Sequence, residues 1–334
     1  MSDRARRIWS GQAGPLGSAV QALMLPLSWA FGLVVSARGR RYDRRGAERV
    51  AGLTVLSVGN LAVGGTGKTP LAGAWARLLA DQGLRVGILT RGTGGDEVAL
   101  HKDWNPDVPV FVDADRVRAA ERAAAEGIEV ALLDDGFQHR RLARDLDVVL
   151  LAAEDPFPGP LLPAGPYRER PEGLSRAHVV VVTRRSASAE RARAVENAAE
   201  TLRAGAVMGR LHLEPSEWRL LDGRTCEPPT GDVLAVAGIA RPADFGVSAS
   251  EALGRPVEVM GFPDHHAFSE RDLRRIQDRA GTRTVCVTEK DAVKLRRLRG
   301  AEDGALAAVV VLTQALRWES GEDEIMGLIL GLVQ

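Results

Sequence analysis

Residues 55–75, VLSVGNLAVGGTGKTPLAGAW, combine a glycine-dense loop with a lysine and a threonine. The apolar start predicts a buried strand and the Ala- and Leu-rich end predicts a helix, so the glycines allow backbone N–H groups to close around an anion at a helix N-terminus. The lysine of such a loop reaches the β- and γ-phosphates of a nucleotide, and the threonine hydroxyl binds Mg²⁺. Ala62 replaces the first glycine of the strict pattern G-x-x-x-x-G-K-[ST], and an ordinary glycine turn is the alternative. We predict that a nucleoside triphosphate binds here, at Val63, Gly64, Gly65, Thr66, Gly67, Lys68 and Thr69.

A second apolar run ends in two aspartates. Residues 130–133 lead directly into Asp134 and Asp135, within the segment VALLDDGFQH. A P-loop enzyme needs a carboxylate at a strand end to hold Mg²⁺ directly or through water, and ligands bind at the carboxyl edge of a parallel sheet. Adjacent side chains on a strand point to opposite faces, so we expect the two aspartates to differ in role. A solvated turn is the alternative, and His139, taken alone, is better explained as an ordinary loop histidine.

The triplet Gly95-Asp96-Glu97 places two carboxylates on a glycine-rich loop after a predicted strand. A kinase needs a base that accepts the proton of the acceptor hydroxyl, and an aspartate near the γ-phosphate is the usual choice. A solvated turn explains the triplet equally well. Arg116 opens a predicted helix, where it either binds a phosphate or pairs with a neighbour on the surface.

Two later segments carry ionisable clusters. In FPDHHAF, Asp264, His265 and His266 lie between apolar residues, but no further ligands follow at the spacing that a metal site requires. A histidine paired with a catalytic carboxylate is the better functional interpretation. Residues 288–291, TEKD, end a predicted strand with three ionisable side chains in a row, which could belong to a functional site. The alternative interpretation is a solvated helix start capped by Thr288.

The remaining pattern indicates the elements that position these residues. Continuous apolar strands alternate with helical patterns, which predicts a P-loop NTPase-like, mostly parallel sheet with helices on both faces. The Pro- and Gly-rich residues 154–175 predict an irregular surface loop. We divide the chain into an N-terminal segment (1–45), a P-loop kinase domain (46–213), a polar connector (214–231) and a smaller C-terminal α/β domain (232–334).

The N-terminus carries the one membrane signal of the sequence. Residues 8–37 are 30 consecutive residues without a charge, and arginines flank them on both sides. The segment is long enough to span a bilayer, but positive charge on both sides favours a helix that lies in the interface at the cytoplasmic face. A helix packed on the protein's own core is the alternative.

Composition narrows the classes of function. Lys and Arg together number 44, as do Asp and Glu, so the net charge of zero indicates no nucleic-acid partner. The two cysteines, Cys226 and Cys286, have no metal-binding spacing and suit a reducing compartment as unpaired thiols.

Several of these stretches together resemble one family, the tetraacyldisaccharide 4'-kinases of lipid A biosynthesis. The matching segments occur in family order over nearly the whole chain, and DDGFQH with LLPAGP-x-RE is far more specific than the P-loop. They are VGNLAVGGTGKTP, GDE, DDGFQHRRLARDLDVV, LLPAGPYRE, GIARP, FPDHH and TEKDAVKL.

The resemblance implies phosphorylation of the 4'-hydroxyl of a tetraacyldisaccharide 1-phosphate, with ATP and Mg²⁺. It implies a monotopic protein on the cytoplasmic face of the bacterial inner membrane, and it indicates no obligate protein partner. By the same resemblance, Asp96 is the catalytic aspartate and acts in a dyad with His265, alongside Lys68. Further positions matching the family active site are Glu97, Arg116, His139, Arg168 and Glu169, and those on the Mg²⁺ side are Thr69, Asp134 and Asp135, with Glu169 assisting.

The chain departs from the family pattern after Arg91. The family reads R-G-Y-G-R and has roughly fifteen residues before GDE, whereas here Thr93 replaces the tyrosine and GDE follows almost at once.

Two other functions remain open at this level: a P-loop kinase of a soluble sugar or metabolite, and a membrane-associated nucleotide switch. Activity that depends on detergent would distinguish a lipid kinase from a kinase of a soluble acceptor. Nucleotide hydrolysis that does not need Asp96 or His265 would favour the nucleotide switch.

Overall fold

The computed structural model describes residues 5, 8–9, 13–92, 95–298 and 309–333 of the chain. Thr93, at which the sequence departs from the family pattern, lies outside these residues. The α-helices are α1 (Gly14–Arg45), α2 (Lys68–Asp81), α3 (Asp96–Trp104), α4 (Arg116–Ala125), α5 (Ala189–Leu202), α6 (Pro242–Leu253), α7 (Glu270–Ala280), α8 (Glu289–Arg296) and α9 (Glu322–Val333). The strands are β1 (Thr54–Asn60), β2 (Val86–Thr90), β3 (Val110–Val112), β4 (Val130–Asp134), β5 (Leu146–Ala152), β6 (Val179–Arg184), β7 (Val207–Leu220), β8 (Val233–Ala237), β9 (Glu258–Gly261), β10 (Thr284–Thr288) and β11 (Val309–Ser320).

The chain divides into two compact units. The large unit comprises Arg4–Thr93, His101–His212 and Trp318–Gln334, and the small unit comprises Gly94–Leu100 and Leu213–Arg317. Strands β7 and β11 and helix α3 therefore each contribute residues to both units.

In the large unit the strands follow the order β3-β2-β4-β1-β5-β6-β7 and pair in parallel. The central strands are buried along their whole length, since both faces of a parallel sheet are covered by helices. Strand β1 runs between β4 and β5, with Val58 paired to Asp134 on one side and Val148 on the other. This register brings the ends of β1 and β4, and the loops that follow them, to the same edge of the sheet.

The small unit has its own parallel strands, in the order β11-β10-β8-β9. Two apolar clusters pack against its faces, one around Phe262, Phe268 and Leu273 and the other around Trp218 and Phe245. The predicted α/β fold, a mostly parallel sheet with helices and a long apolar N-terminal helix, is confirmed.

Helix α1 is long and apolar enough to cross a membrane by length and composition, and 11% of its most apolar window is buried. Gln21 donates to the carbonyl of Ala164 at 2.9 Å, and the Ser28 hydroxyl donates to the carbonyl of Leu161 at 2.9 Å. These bonds fix one face of the helix on the loop of the large unit. The other face leaves large apolar side chains exposed: Leu16, Leu23, Leu27, Trp29, Leu33 and Val34. The helix therefore packs on the protein along one face only, and its contact with a membrane stays a prediction.

The Pro- and Gly-rich loop at 154–175 is irregular apart from a short 3₁₀ helix at Pro171–Arg176, and the prediction that it lies on the surface holds only in part: Pro158, Pro163 and Arg170 are exposed, whereas other side chains are buried. Tyr167 is 2% exposed, and its hydroxyl donates to the carbonyl of Pro156. Arg168 donates its backbone N–H to the carbonyl of Leu61, and Leu174 is fully buried. The loop fills a gap beside the end of β1 with apolar side chains.

The domain boundaries differ from those drawn from the sequence. The predicted connector at 214–231 contains the second half of β7, including the buried Trp218, followed by a turn in which Gly223 donates to the carbonyl of Leu220. Helix α9, expected in the C-terminal domain, belongs to the large unit because Ile325 and Ile329 bury their side chains there. Such long-range packing has no local signal in the sequence.

Candidate active site

The glycine-rich loop joins β1 to α2 in the large unit, as the sequence predicts. Gly67 is the N-cap of α2 with a left-handed φ of 89°, so the helix begins at Lys68 and its first N–H groups have no intrahelical partner. Thr66 is 1% exposed and its hydroxyl accepts a bond of 3.0 Å from the Asn60 side chain. The Thr183 hydroxyl donates to the carbonyl of Thr66 at 2.9 Å. These hydrogen bonds fix the conformation of the loop, and the N-terminus of α2 that follows it is a suitable site for an anion.

Two other groups of the loop have protein partners. The backbone N–H of Val63 donates to the carbonyl of Pro166 at 2.8 Å, and the carbonyl of Gly65 accepts 2.7 Å from Arg185. Val63 therefore uses its amide to fix the loop, and its predicted contact with nucleotide stays a prediction.

Asp135 lies directly after β4 and faces Lys68. Its Oδ1 is 3.6 Å from the Lys68 ammonium, and Arg168 reaches both of its oxygens at 3.1 Å. Burial by itself would raise the pKa of the Asp135 carboxyl, but the charges of Lys68 and Arg168 outweigh it and hold the pKa at about 2. The group is ionised at neutral pH and keeps two cations next to the phosphate loop.

Asp134 takes a different environment, as expected for adjacent positions at a strand end. Its side chain is 1% exposed, and Oδ2 lies 3.0 Å from Nε2 of His101, which is fully buried on α3. Oδ1 is buried and has no hydrogen-bond partner among the described residues. The contact with His101 was not predicted, because a single histidine on a helix carries no signal of its own.

The acidic edge fits a divalent cation that is held mainly by phosphate. No group of three or more His, Cys, Asp or Glu side chains within the described residues could hold a metal ion by itself. Mg²⁺ commonly uses one or two carboxylates together with waters and substrate phosphates. The unpartnered Oδ1 of Asp134 is a suitable acceptor for the ion or its water. Asp135 is the next residue after it, and Thr69 follows Lys68 at the start of α2.

Arg116 and His139 lie together in the large unit. Arg116 is 3% exposed, donates to the carbonyl of Asp113 and has Nη2 3.5 Å from Nε2 of His139. The alternative of a surface ion pair for Arg116 is therefore wrong. Burial and the charge of Arg116 lower the pKa of His139 to about 4, so the imidazole is neutral at pH 7. A neutral histidine beside a buried guanidinium offers two groups that can contact an anionic ligand.

Glu169 is 8% exposed and already paired. Its Oε2 accepts 2.6 Å from Arg176 and its Oε1 accepts 2.9 Å from Gln138, which also donates to the carbonyl of Asn60. Both oxygens thus have protein partners, and the expected assistance in metal binding stays a prediction. Gln138 and Asn60 were missed as candidates, although both lie inside motifs that the sequence analysis quoted.

The small unit brings together Asp96 and His265, which are 169 residues apart in sequence. Nδ1 of His265 lies 3.0 Å from Oδ2 and 3.3 Å from Oδ1 of Asp96. Asp96 is 1% exposed and begins α3, whereas the His265 side chain is 40% exposed. Glu97 donates its backbone N–H to Oδ1 of Asp96 at 3.1 Å.

The charges around Asp96 set its protonation. Burial would raise the pKa of the Asp96 carboxyl, but the hydrogen bond from His265 and the charges of Lys290 and Lys294 hold it well below its usual range. The same hydrogen bond raises the pKa of His265 above its ordinary value of 6.5. The ammonium of Lys290 is 3.3 Å from Oδ2 of Asp96. The sequence placed Lys290 in the TEKD cluster but gave it no partner.

Residues next to His265 and Lys290 have structural contacts. His266 contacts Asp272 at 3.1 Å and packs its ring against Phe262 and Phe268. Thr288 caps α8, because its side chain accepts from the backbone N–H of Asp291, but the segment is not a solvated helix start, since Asp291 is fully buried.

Two of the candidate site residues have a backbone conformation that is uncommon for residues other than glycine. Among the described non-glycine residues, positive φ occurs at Asp135 (55°) and His265 (57°). Aspartate and histidine tolerate this region better than most residues, and strained conformations cluster at functional sites. The two residues belong to different units and to different parts of the predicted chemistry.

Comparison with known proteins agrees with the motifs. The sequence model of the family described as tetraacyldisaccharide-1-P 4'-kinase matches residues 20–95 and 93–332. A tetraacyldisaccharide 4'-kinase of Anaeromyxobacter sp. (strain K) is 40% identical over 90% of this chain and 86% of its own length. One from Syntrophus aciditrophicus (strain SB) is 34% identical over 88% of this chain and 89% of its own length.

A solved structure agrees as well. The crystal structure of LpxK from Aquifex aeolicus in complex with ATP has a TM-score of 0.72 and 28% sequence identity to this chain, covering 94% of this chain and all of that one. The resemblance drawn from the sequence is confirmed: the chain belongs to the tetraacyldisaccharide-1-P 4'-kinase family.

Proposed function

We propose that this protein transfers the γ-phosphoryl group of ATP to the 4'-hydroxyl of a tetraacyldisaccharide 1-phosphate, a lipid A precursor. The bond that forms joins the 4'-oxygen to the γ-phosphorus, the bond to ADP breaks, and the hydroxyl proton passes to the protein. Family membership supports the reaction, and the Aquifex relative, solved in complex with ATP, supports the donor.

The Asp96–His265 pair is the observation that carries the proposal. Asp96 is almost fully buried yet held ionised, at 3.0 Å from a histidine on a distant segment. A phosphotransferase with an alcohol acceptor needs such a base, whereas a nucleotide switch does not. Asp96 accepts the hydroxyl proton, and His265 orients the carboxylate and is the more exposed member of the pair.

The large unit supplies the charge that phosphoryl transfer requires. The start of α2 and Lys68 bind the phosphates, and Asp135 fixes Lys68 and Arg168 before the nucleotide arrives. Arg116 and His139 add contacts to the transferred or acceptor phosphate. Preorganised groups of this kind stabilise developing charge without reorganising during the reaction.

Asp134, Asp135 and Thr69 are the residues that would hold Mg²⁺ with the nucleotide, and Glu169 stays a candidate assistant. When bound, the ion neutralises phosphate charge in the transition state. The buried, unpartnered Oδ1 of Asp134 supports this assignment.

Helix α1 is the proposed membrane contact, on the cytoplasmic face of the bacterial inner membrane. Its exposed apolar side chains include Leu16 at 78% and Leu23 at 72%, while Arg44 and Arg45 end the helix. A helix with this face and basic end lies in the interface and is attracted to anionic headgroups. The enzyme would thereby take a lipid substrate from the membrane surface.

The test is transfer of labelled γ-phosphate from ATP to purified tetraacyldisaccharide 1-phosphate in mixed micelles. We expect the wild type to form product and the Lys68→Ala and Asp96→Ala variants to form little or none. Arg77→Ala is the matched control, because Arg77 pairs with Asp81 on the exposed side of α2. Absence of product with the wild type, while ATP still binds, would contradict the proposal and point to another acceptor.

A further inference from the structure

The contact of His101 with Asp134 has no role in the steps described above. The His101 side chain is fully buried and that of Asp134 is 1% exposed, and one contact of 3.0 Å joins Nε2 to Oδ2. Nδ1 of His101 and Oδ1 of Asp134 have no hydrogen-bond partner among the described residues. Two buried polar atoms without a protein partner are costly, so this pairing calls for a reason beyond stability.

The geometry fixes which oxygen of Asp134 is available. A carboxylate that binds a metal ion only accepts hydrogen bonds, so in that role Oδ2 of Asp134 pairs with the His101 tautomer that carries its proton on Nε2. The carboxylate can then rotate little, and Oδ1 is the oxygen left for a further ligand.

The imidazole itself is held on two sides. The edge of the Trp104 ring meets the His101 ring with centroids 6.1 Å apart. Gly73 lies on α2, the helix that starts at the phosphate loop, and a Cβ added there would be 3.5 Å from Nδ1 of His101 and 3.1 Å from the Trp104 ring. Asn105, directly after α3, donates separately to the carbonyl of Gly73 at 3.1 Å. The ring is therefore wedged between the end of β4 and the helix of the phosphate loop.

We propose that His101 is a positioning residue: by holding Oδ2 of Asp134, it presents Oδ1 to the Mg²⁺ of a Mg²⁺–nucleotide complex or to a water bound to that ion. This inference rests on the proposed function for the metal and the nucleotide, but not for the acceptor. Groups that orient metal ligands by hydrogen bonds typically change metal affinity or activity by about 10- to 100-fold when removed.

The test measures nucleotide binding without any acceptor. Calorimetric titration of ADP into the full chain in detergent, with Mg²⁺ and with EDTA, gives the factor by which the ion strengthens binding. In His101→Leu, which leaves Asp134 without its donor, we expect that factor to fall about 10-fold or more. The affinity in EDTA should stay within about twofold. In His101→Gln, whose amide can donate at the same distance from the backbone, we expect most of the factor to return.

Asn105→Ala is the matched control, since it removes a buried hydrogen bond between the residue after α3 and helix α2 without touching Asp134. It should leave the Mg²⁺ factor unchanged. Equal losses with and without Mg²⁺ in His101→Leu, or the same loss of the factor in Asn105→Ala, would show a purely structural role and overturn the inference.

Two further results keep the outcome clear. In the wild type, the imidazole N–H signal of His101 should move when Mg²⁺ is added to the ADP complex; no movement would contradict the inference even if His101→Leu fails to fold. A wild type whose ADP binding ignores Mg²⁺ would refute the metal assignment in the proposed function and this inference with it. A wild type that responds to Mg²⁺ beside a His101→Leu variant that responds equally would refute this inference alone.

Discussion

The phosphate loop of the large unit is built from backbone, whereas the Asp96–His265 pair of the small unit is built from side chains. In the loop, glycine conformations and the start of α2 create the anion site within one short segment. In the pair, a carboxylate and an imidazole meet from segments 169 residues apart, and neither works without the other's position. The first kind of site is local in sequence, whereas the second depends on the tertiary fold.

Asp96→Asn should produce the largest effect. The amide keeps the shape of the side chain but cannot accept the hydroxyl proton, so turnover should fall by about 10²- to 10⁴-fold. The ATP dissociation constant should stay within about twofold, because the phosphate loop is in the other unit. Initial rates and calorimetric titrations measure the two quantities. Turnover within a few-fold of wild type would remove Asp96 as the base.

Lys68→Met should affect both binding and turnover. The substitution keeps the length of the apolar stem but removes the charge that faces Asp135 and the phosphates. We expect turnover to fall by about 10²- to 10³-fold and ATP to bind more weakly. The contrast with Asp96→Asn is the informative result: if both variants lose the same property to the same extent, the division of labour between the two regions is incorrect.

The same contrast explains how far the sequence could predict the molecule. The sequence predicts strands β1 and β4 because buried parallel strands are continuous apolar runs, and the phosphate loop because its glycines and Lys68 lie side by side. The Asp96–His265 pair came only through the resemblance to the family, since a pair across 169 residues has no local pattern.

The contacts that could not be predicted from the sequence join residues that are far apart in the chain. His101 and Lys290 gain their roles from contacts with Asp134 and Asp96 that depend on how helices α3 and α8 pack. The composition of the loop at 154–175, rich in proline and glycine, predicts a surface position. The burial of Tyr167 and Leu174 within it comes from long-range packing that the composition does not indicate. Long-range burial outweighs local composition there.

Gly59→Ala tests whether the large-unit site also depends on close backbone contact. A Cβ at Gly59, on β1, would lie 2.5 Å from Cβ and 2.7 Å from the backbone N of Phe137, in the segment after Asp135. The backbone cannot yield easily, so we expect a loss of about 1–3 kcal/mol in the free energy of unfolding. Denaturant titration measures it as a lower midpoint at unchanged slope.

Gly327→Ala is the control for that measurement. Gly327 lies inside α9 of the same unit, and no atom is within 4 Å of an added Cβ. Alanine favours a helix interior over glycine, so stability should rise by about 0.5–1 kcal/mol. Equal destabilisation at both positions would mean that contact with Phe137 does not decide the effect at Gly59.

The smallest expected effect is a change in the titration of His265. Its hydrogen bond to Asp96 raises its pKa above 6.5, so the pKa measured by NMR should fall in Asp96→Asn. Asp272→Asn, which alters the partner of the neighbouring His266, should leave the titration of His265 unchanged. An unchanged pKa of His265 in Asp96→Asn would mean that the pair does not exist in solution.

The pair also predicts how stability depends on pH. The raised pKa of His265 stabilises the fold fully below pH 6.5, and that contribution is lost as the pH rises through the raised value. The depressed pKa of Asp96 stabilises the fold above pH 3.8, and that contribution is lost as the pH falls through the depressed value. Both contributions are present between pH 3.8 and 6.5, so Asp96→Asn should destabilise the protein more in this window than at about pH 9, where the His265 contribution is lost. Thermal unfolding across this range measures the difference, and a loss that grows towards pH 9 would contradict the pairing of charges.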